Sequence, residues 1–71
     1  MNKVIKSLFF IIADNQVLYV ESTIKDLHEQ FSKDIDQISY ITLYRAFKER
    51  DRFTREFNGK TYFFQSLKVN D

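Results

Sequence analysis

The chain has 71 residues, enough for one domain, and its eleven Lys and Arg nearly balance its ten Asp and Glu. Hydrophobic residues make up 44% and aromatic residues 17%, which is typical of a globular domain and excludes disorder throughout. The absence of Cys excludes a disulfide scaffold and a thiolate metal site. The longest apolar run, residues 8–13, is far shorter than the roughly 20 residues of a membrane span, and no signal-peptide cleavage site is present. We therefore expect a single domain over residues 1–71 and a cytoplasmic location.

The charges are unevenly distributed along the chain. Residues 1–40 contain four Lys and six acidic residues, whereas residues 41–71 contain seven Lys and Arg and four acidic residues. All four Arg lie within residues 45–55. A basic segment on a nearly neutral domain is typical of a small nucleic-acid-binding face. The alternative is an ordinary solvated surface, because acidic residues are interleaved with these cations.

The first predicted element is a helix that begins at Asn2 or Lys3. Its apolar residues recur at helical spacing and predict one buried stripe: Val4, Ile5, Leu8, Phe9 and Ile12. Residues 14–16 break the pattern, with Asn15 as a left-handed cap of this helix. Residues 17–20 are too few for a helix and rich in β-forming types, which predicts a short strand.

Two further helices are predicted after that strand. The Thr23 hydroxyl caps a helix over about residues 23–32, and the Ser39 hydroxyl caps another over about residues 39–50. Residues 32–37 between them are mostly polar and predict a connection. Apolar residues at helical spacing predict the buried faces of the two helices: Ile24, Leu27, Phe31, Leu43 and Phe47.

An alternating pattern over residues 52–65 predicts a β-hairpin around Asn58 and Gly59, since both residues accept the positive φ of a type I′ turn. A two-residue turn fixes the pairing of the strands: Phe57 with Lys60, Glu56 with Thr61, Arg55 with Tyr62, Thr54 with Phe63, Phe53 with Phe64 and Arg52 with Gln65. The polar tail at residues 68–71 is expected to fray.

This element order predicts an α+β fold of the winged helix-turn-helix type, with three helices, a short strand and a C-terminal hairpin wing. Residues 38–48, ISYITLYRAFK, resemble the recognition helix of bacterial and phage helix-turn-helix regulators, and residues 23–31 resemble the first helix of that motif. The resemblance covers about residues 3–65. The six-residue link at 32–37 departs from the family, which usually has a tight turn with Gly. A fainter similarity, at residues 51–53 and the hairpin, is to the winged domain of the RNA polymerase delta subunit.

The resemblance implies a non-enzymatic regulator of transcription that binds specific sites in double-stranded DNA. Helix 39–50 would enter the major groove, and the hairpin at 52–65 would follow the backbone. The residues expected to contact DNA are Ser39, Tyr40, Thr42, Tyr44, Arg45, Lys48, Arg55, Asn58 and Lys60. The alternative is a protein-interaction module of the same fold that acts on polymerase or on a replication or regulatory protein.

Phe10 and Ile11 fall outside the buried stripe of the first predicted helix, so either the short strand or a second copy of the chain must cover them. We expect a homodimer interface there. His28 has no partner pattern that indicates a metal site or a catalytic group. We therefore expect no metal, no cofactor and no small-molecule substrate.

Overall fold

The computed structural model describes residues 6–68, which form a four-stranded antiparallel sheet with two helices on one side. In chain order the elements are β1 Ser7–Ala13, β2 Gln16–Glu21, α1 Ile24–Asp34, α2 Tyr40–Glu49, β3 Arg52–Phe57 and β4 Lys60–Lys68. The strands lie in the order β2-β1-β4-β3. The α+β class is correct, but the winged-helix architecture of three helices and a C-terminal wing is wrong.

The main correction is β1, which is a strand where the sequence predicted a helix. Its residues alternate between the two faces of the sheet: Ile11 and Ala13 are buried beneath the helices, whereas Phe10 and Ile12 point to the opposite side. A short apolar run fits either a helix or a buried strand, and the spacing alone does not decide between them. Residues 1–5 of the predicted helix lie outside the described residues.

The break after β1 is a hairpin turn and not a helix cap. Asp14 and Asn15 both have positive φ, 54° and 61°, as a type I′ turn requires. The left-handed conformation predicted for Asn15 is therefore present, but it joins two strands. The strand predicted at residues 17–20 is confirmed within β2. It pairs with β1 at the edge of the sheet and does not pair with either strand of the second hairpin.

The two remaining helices are confirmed, with small changes at their ends. The Thr23 hydroxyl accepts a hydrogen bond from the Asp26 backbone N–H at 3.1 Å, and α1 continues two residues beyond its predicted end. The connection to α2 is consequently shorter than expected, and Ile35 and Ile38 anchor it in the core. In the described part of the chain, no helix is long and apolar enough to cross a membrane.

The hairpin around Asn58 and Gly59 is confirmed in all six predicted pairs. Both turn residues have positive φ, 54° and 77°. It is not a free wing, however, because β4 also pairs with β1 along its other edge. Lys68, predicted to belong to a frayed tail, is instead the last residue of β4, and residues 69–71 lie outside the described residues.

Aromatic rings fill the space between the helices and the sheet. Phe31 of α1 is fully buried, and its ring centroid lies within 5.5–5.8 Å of four other rings: Tyr19, Phe57, Tyr62 and Phe64. Leu43 and Phe47 are buried on the inner face of α2, as predicted. Ile11 is also fully buried, so its predicted exposure at a dimer interface is wrong.

Phe31→Ala should unfold the domain at room temperature. Truncation of a buried Phe costs about 3–5 kcal/mol, and a domain of this size has only about 3–5 kcal/mol of stability in total. Circular dichroism during thermal denaturation measures the effect. Ile41→Ala is the control, since 60% of that side chain is exposed and its melting temperature should change little. Equal melting temperatures for the two variants would contradict the packing described above.

Candidate nucleic-acid interface

Helix α2 presents to solvent a face that carries polar and cationic side chains together with Ile41 and two tyrosines. Ser39 caps the N-terminus of the helix: its hydroxyl accepts a hydrogen bond from the Thr42 backbone N–H at 3.2 Å and donates one to the Thr42 hydroxyl at 2.9 Å. Leu43 and Phe47 are buried four residues apart, so the intervening positions point outward. Six residues expected at the interface are exposed on this helix and its cap: Ser39, Tyr40, Thr42, Tyr44, Arg45 and Lys48.

Strand β3 runs back along α2 and forms one wall of a groove with it. The contact between the two elements is aromatic, with the rings of Phe47 and Phe53 4.9 Å apart. Arg55 follows on the same face of β3 as Phe53, and its guanidinium lies 5.8 Å from the centre of the Phe53 ring. The groove has a volume of about 420 Å³ and its lining includes Thr42, Arg45, Arg50 and Arg55.

The groove brings together two arginines that the sequence placed on separate elements. Arg45 comes from α2 and Arg55 from β3, and both are exposed. Arg50 was not among the predicted contacts. It caps the C-terminus of α2, where its backbone N–H donates to the Ala46 carbonyl at 3.0 Å. The feature of the sequence that could have identified Arg50 as a contact is its position in the basic segment between α2 and β3.

In the part of the chain that the structure describes, the guanidinium groups of this surface form no ion pair with a carboxylate. Within residues 6–68, no carboxylate lies within 4.0 Å of Arg45, Arg50 or Arg55. Glu49 also lines the groove, but without an ion pair to these side chains. The interleaved acidic residues therefore reduce the net charge of the segment without forming ion pairs with these three arginines. The groove is left with arginine donors that are open to an anionic ligand.

A row of aromatic and cationic side chains runs along the outer side of α2. The Tyr40 and Tyr44 rings are 5.9 Å apart, and the Lys48 ammonium lies 5.1 Å from the centre of the Tyr44 ring. His28 of α1 packs against Tyr40 at 6.0 Å and its Nε2 donates to the Ile38 carbonyl at 2.8 Å. His28 thus links α1 to the start of α2, and this structural contact orients the helix.

Asn58 and Lys60 lie away from the groove, at the end of the sheet where both hairpins turn. The Asn58 side-chain oxygen accepts a hydrogen bond from the Gln37 amide at 2.9 Å. The Lys60 ammonium forms an ion pair with the Asp14 carboxylate at 2.8 Å. These contacts join the two hairpin turns to each other and to the connection between the helices. The structure therefore places two of the nine expected DNA contacts away from both the groove and the exposed side of α2, where the other seven lie.

The Asp14 carboxylate accepts a hydrogen bond from Lys60, and this bond and the negative charge of Asp14 raise the pKa of Lys60 above its ordinary value of 10.5. The ion pair is therefore present at neutral pH and is lost as the pH rises through the raised pKa.

Asp14→Asn should lower the pKa of Lys60, as measured by an NMR titration of the Lys60 Cε atom, which is bonded to the ammonium nitrogen. Asp26→Asn, which removes a carboxylate from α1, should leave the titration unchanged. The same Lys60 titration in Asp14→Asn as in the unmodified chain would show that the pair does not form.

Comparison with known proteins finds no matching family model, no matching curated protein and no matching solved structure. The resemblance to helix-turn-helix regulators therefore rests on residues 23–31 and 38–48 alone, and the four-stranded sheet departs from the architecture expected for them.

Proposed function

We propose that this chain is a non-enzymatic regulator that binds double-stranded DNA through α2 and the groove between α2 and β3. The observation that carries the proposal is the convergence of Arg45, Arg50 and Arg55 with Thr42 on one groove. The winged-helix architecture is not part of the proposal, because β3 and β4 belong to a four-stranded sheet.

The chemistry of the groove suits the DNA backbone. A guanidinium presents a planar set of donors that matches two phosphate oxygens, or the O6 and N7 atoms of guanine, at the same time. Arg45 and Arg55 line the groove from opposite walls, so a phosphate between them would be contacted from two sides. Since no carboxylate of residues 6–68 pairs with them, binding does not first require an ion pair to break.

Helix α2 is the element that fits the major groove. Its exposed face carries Thr42 and Arg45 on the side of the arginine groove, where they would reach base edges. Tyr44 and Lys48 form a separate pair along the helix and would contact phosphates. This arrangement would place base contacts beside backbone contacts, as specific binding requires.

A protein-interaction module is the second candidate, and one observation favours it. Ile41 is 60% exposed on the outer face of α2, next to Tyr40 and Tyr44, which are 38% and 40% exposed. Exposed aromatic and aliphatic side chains of this kind are enriched at protein interfaces and contribute little to phosphate binding. Such a partner would bind to α2 with weak dependence on salt, whereas DNA binding depends strongly on salt.

Fluorescence anisotropy with a random-sequence DNA duplex, measured over a series of salt concentrations, tests the proposal. The unmodified chain should bind at about 50 mM salt, and log K should fall with log salt by about 0.9 for each phosphate contacted. Arg45→Gln and Arg55→Gln should each weaken binding and reduce that slope by about one. If Arg45 also reads guanine, its loss at a specific site should cost about 1–3 kcal/mol.

Lys25→Gln is the matched control, because it removes one exposed positive charge from α1, away from the groove. It should change the affinity and the slope much less than either arginine variant. No binding at about 50 mM salt, or equal effects of all three substitutions, would reject the groove as a DNA-binding site.

A further inference from the structure

Among the residues that the structure describes, no element covers the apolar sheet face opposite the helices. Side chains alternate along each strand, so the neighbours of buried Ile11 and Phe64 point away from the helices. Cross-strand pairing joins these outward side chains into one continuous patch, because Leu8 pairs with Leu67 and Ile12 with Phe63. We call this patch the open face, and its seven apolar residues are Leu8, Phe10, Ile12, Val17, Val20, Phe63 and Leu67.

Large apolar side chains on the open face are strongly exposed to solvent. Phe63 is 50% exposed and Val17 is 56% exposed, and Val20 and Leu67 are exposed to a similar extent. Single exposed apolar residues are common, but a continuous patch on a regular sheet indicates a surface that another molecule covers. Four strands about 4.8 Å apart and about 20 Å long cover roughly 400 Å² in projection. Because the side chains stand on that plane, a partner that covers the whole face buries more than this on each side, against the roughly 800 Å² per partner of a standard-size interface.

The charges on the open face indicate what covers it. At the outward positions of the four strands only two residues are charged, Arg52 and Glu56, which lie on either side of Thr54 at the edge of the sheet. The outward strand positions therefore carry no net charge, and Arg50, which lies beside Arg52 at the same edge, is a further cation there. Arg52 and Glu56 lie on the same strand, β3. When two copies of β3 run in opposite directions, the cation of each copy lies opposite the anion of the other.

We propose that a second copy of this chain covers the open face, sheet against sheet, about a two-fold axis that runs across the strands. This axis stacks β3 on β3 of the partner copy in the reverse direction. Arg52 of one copy then faces Glu56 of the other, and the same contact is made twice, as an isologous interface requires. Both charge pairs lie at the β3 edge, and the apolar side chains of β1, β2 and β4 meet beside them. The dimer has the layer order helix, sheet, sheet, helix.

The proposed dimer does not depend on the proposed function. The way in which the two copies would bind DNA together does rest on the proposed function. With β3 stacked on β3, the two α2–β3 grooves open on the same side of the dimer. At about 10 Å per layer the two α2 helices are roughly 30 Å apart. That separation is close to the roughly 34 Å between half-sites one turn of DNA apart. The dimer would therefore bind adjacent half-sites.

Sedimentation velocity of the full chain, without DNA, tests the interface. At about 100 μM the unmodified chain should sediment as a dimer of twice its 8.6 kDa mass. Phe63→Glu should give a monomer with an unchanged circular dichroism spectrum. Ile41→Glu places the same charge on the exposed face of α2 and should leave the dimer intact. A monomeric unmodified chain at this concentration, or a dimeric Phe63→Glu, would overturn the proposal; a monomer would leave the face to a different protein.

A charge exchange tests the arrangement of the two copies with substitutions at exposed positions, which should not disturb folding. Arg52→Glu and Glu56→Arg should each raise the dimer dissociation constant at least tenfold, because each creates two like-charge contacts. The double variant Arg52→Glu/Glu56→Arg should restore it to within about threefold of the unmodified chain. A double variant that dimerises as weakly as the single variants would overturn the β3-on-β3 arrangement.

The dimer measurements contain no DNA, so they test the interface separately from the proposed function. A chain that dimerises but does not bind the duplex would reject the proposed function alone.

Discussion

The strand β1 is the constraint on which the rest of the structure depends. It is hydrogen-bonded to β2 on one side and to β4 on the other, so it joins two hairpins into one sheet. An isolated two-stranded hairpin is marginally stable in water, and the union of the two gives a surface large enough to hold both helices. Ile11 faces those helices and Phe10 faces away, so the same strand forms the floor of the core and the centre of the open face.

The elements that could be predicted from the sequence are those whose conformation is decided by a few adjacent residues. The Asn58-Gly59 turn fixes its own register, and the Thr23 and Ser39 hydroxyls fix the starts of the helices. Residues 7–13 differ, because their apolar spacing fits a helix as well as a strand and the choice depends on pairing with β4, near the other end of the chain. The local signal that favoured a strand was Asp14-Asn15, a turn whose two residues both accept positive φ.

The same distinction separates the predictable and unpredictable parts of the candidate interface. Arg45 and Arg55 were identifiable as exposed cations, but their convergence on one groove depends on how β3 returns along α2. Lys60 was expected at the same surface, and only the adjacent placement of the two hairpin turns shows that Asp14 binds it instead. A net charge of +1 therefore says little about DNA binding, because the arginine groove and the paired charges lie at different places on the molecule.

The geometry of the arginine groove is set by the core rather than by the arginines themselves. Phe47 of α2 packs edge-on against Phe53 of β3, and Phe53 in turn stacks on Phe64 with the rings 4.9 Å apart and 4° from parallel. Arg45 and Arg55 project from the two elements that this contact joins. The backbone positions from which the two arginines project are consequently fixed by the core, and the Arg55 guanidinium lies 5.8 Å from the centre of the Phe53 ring. The aromatic contacts that stabilise the fold therefore also determine where the two walls of the groove stand.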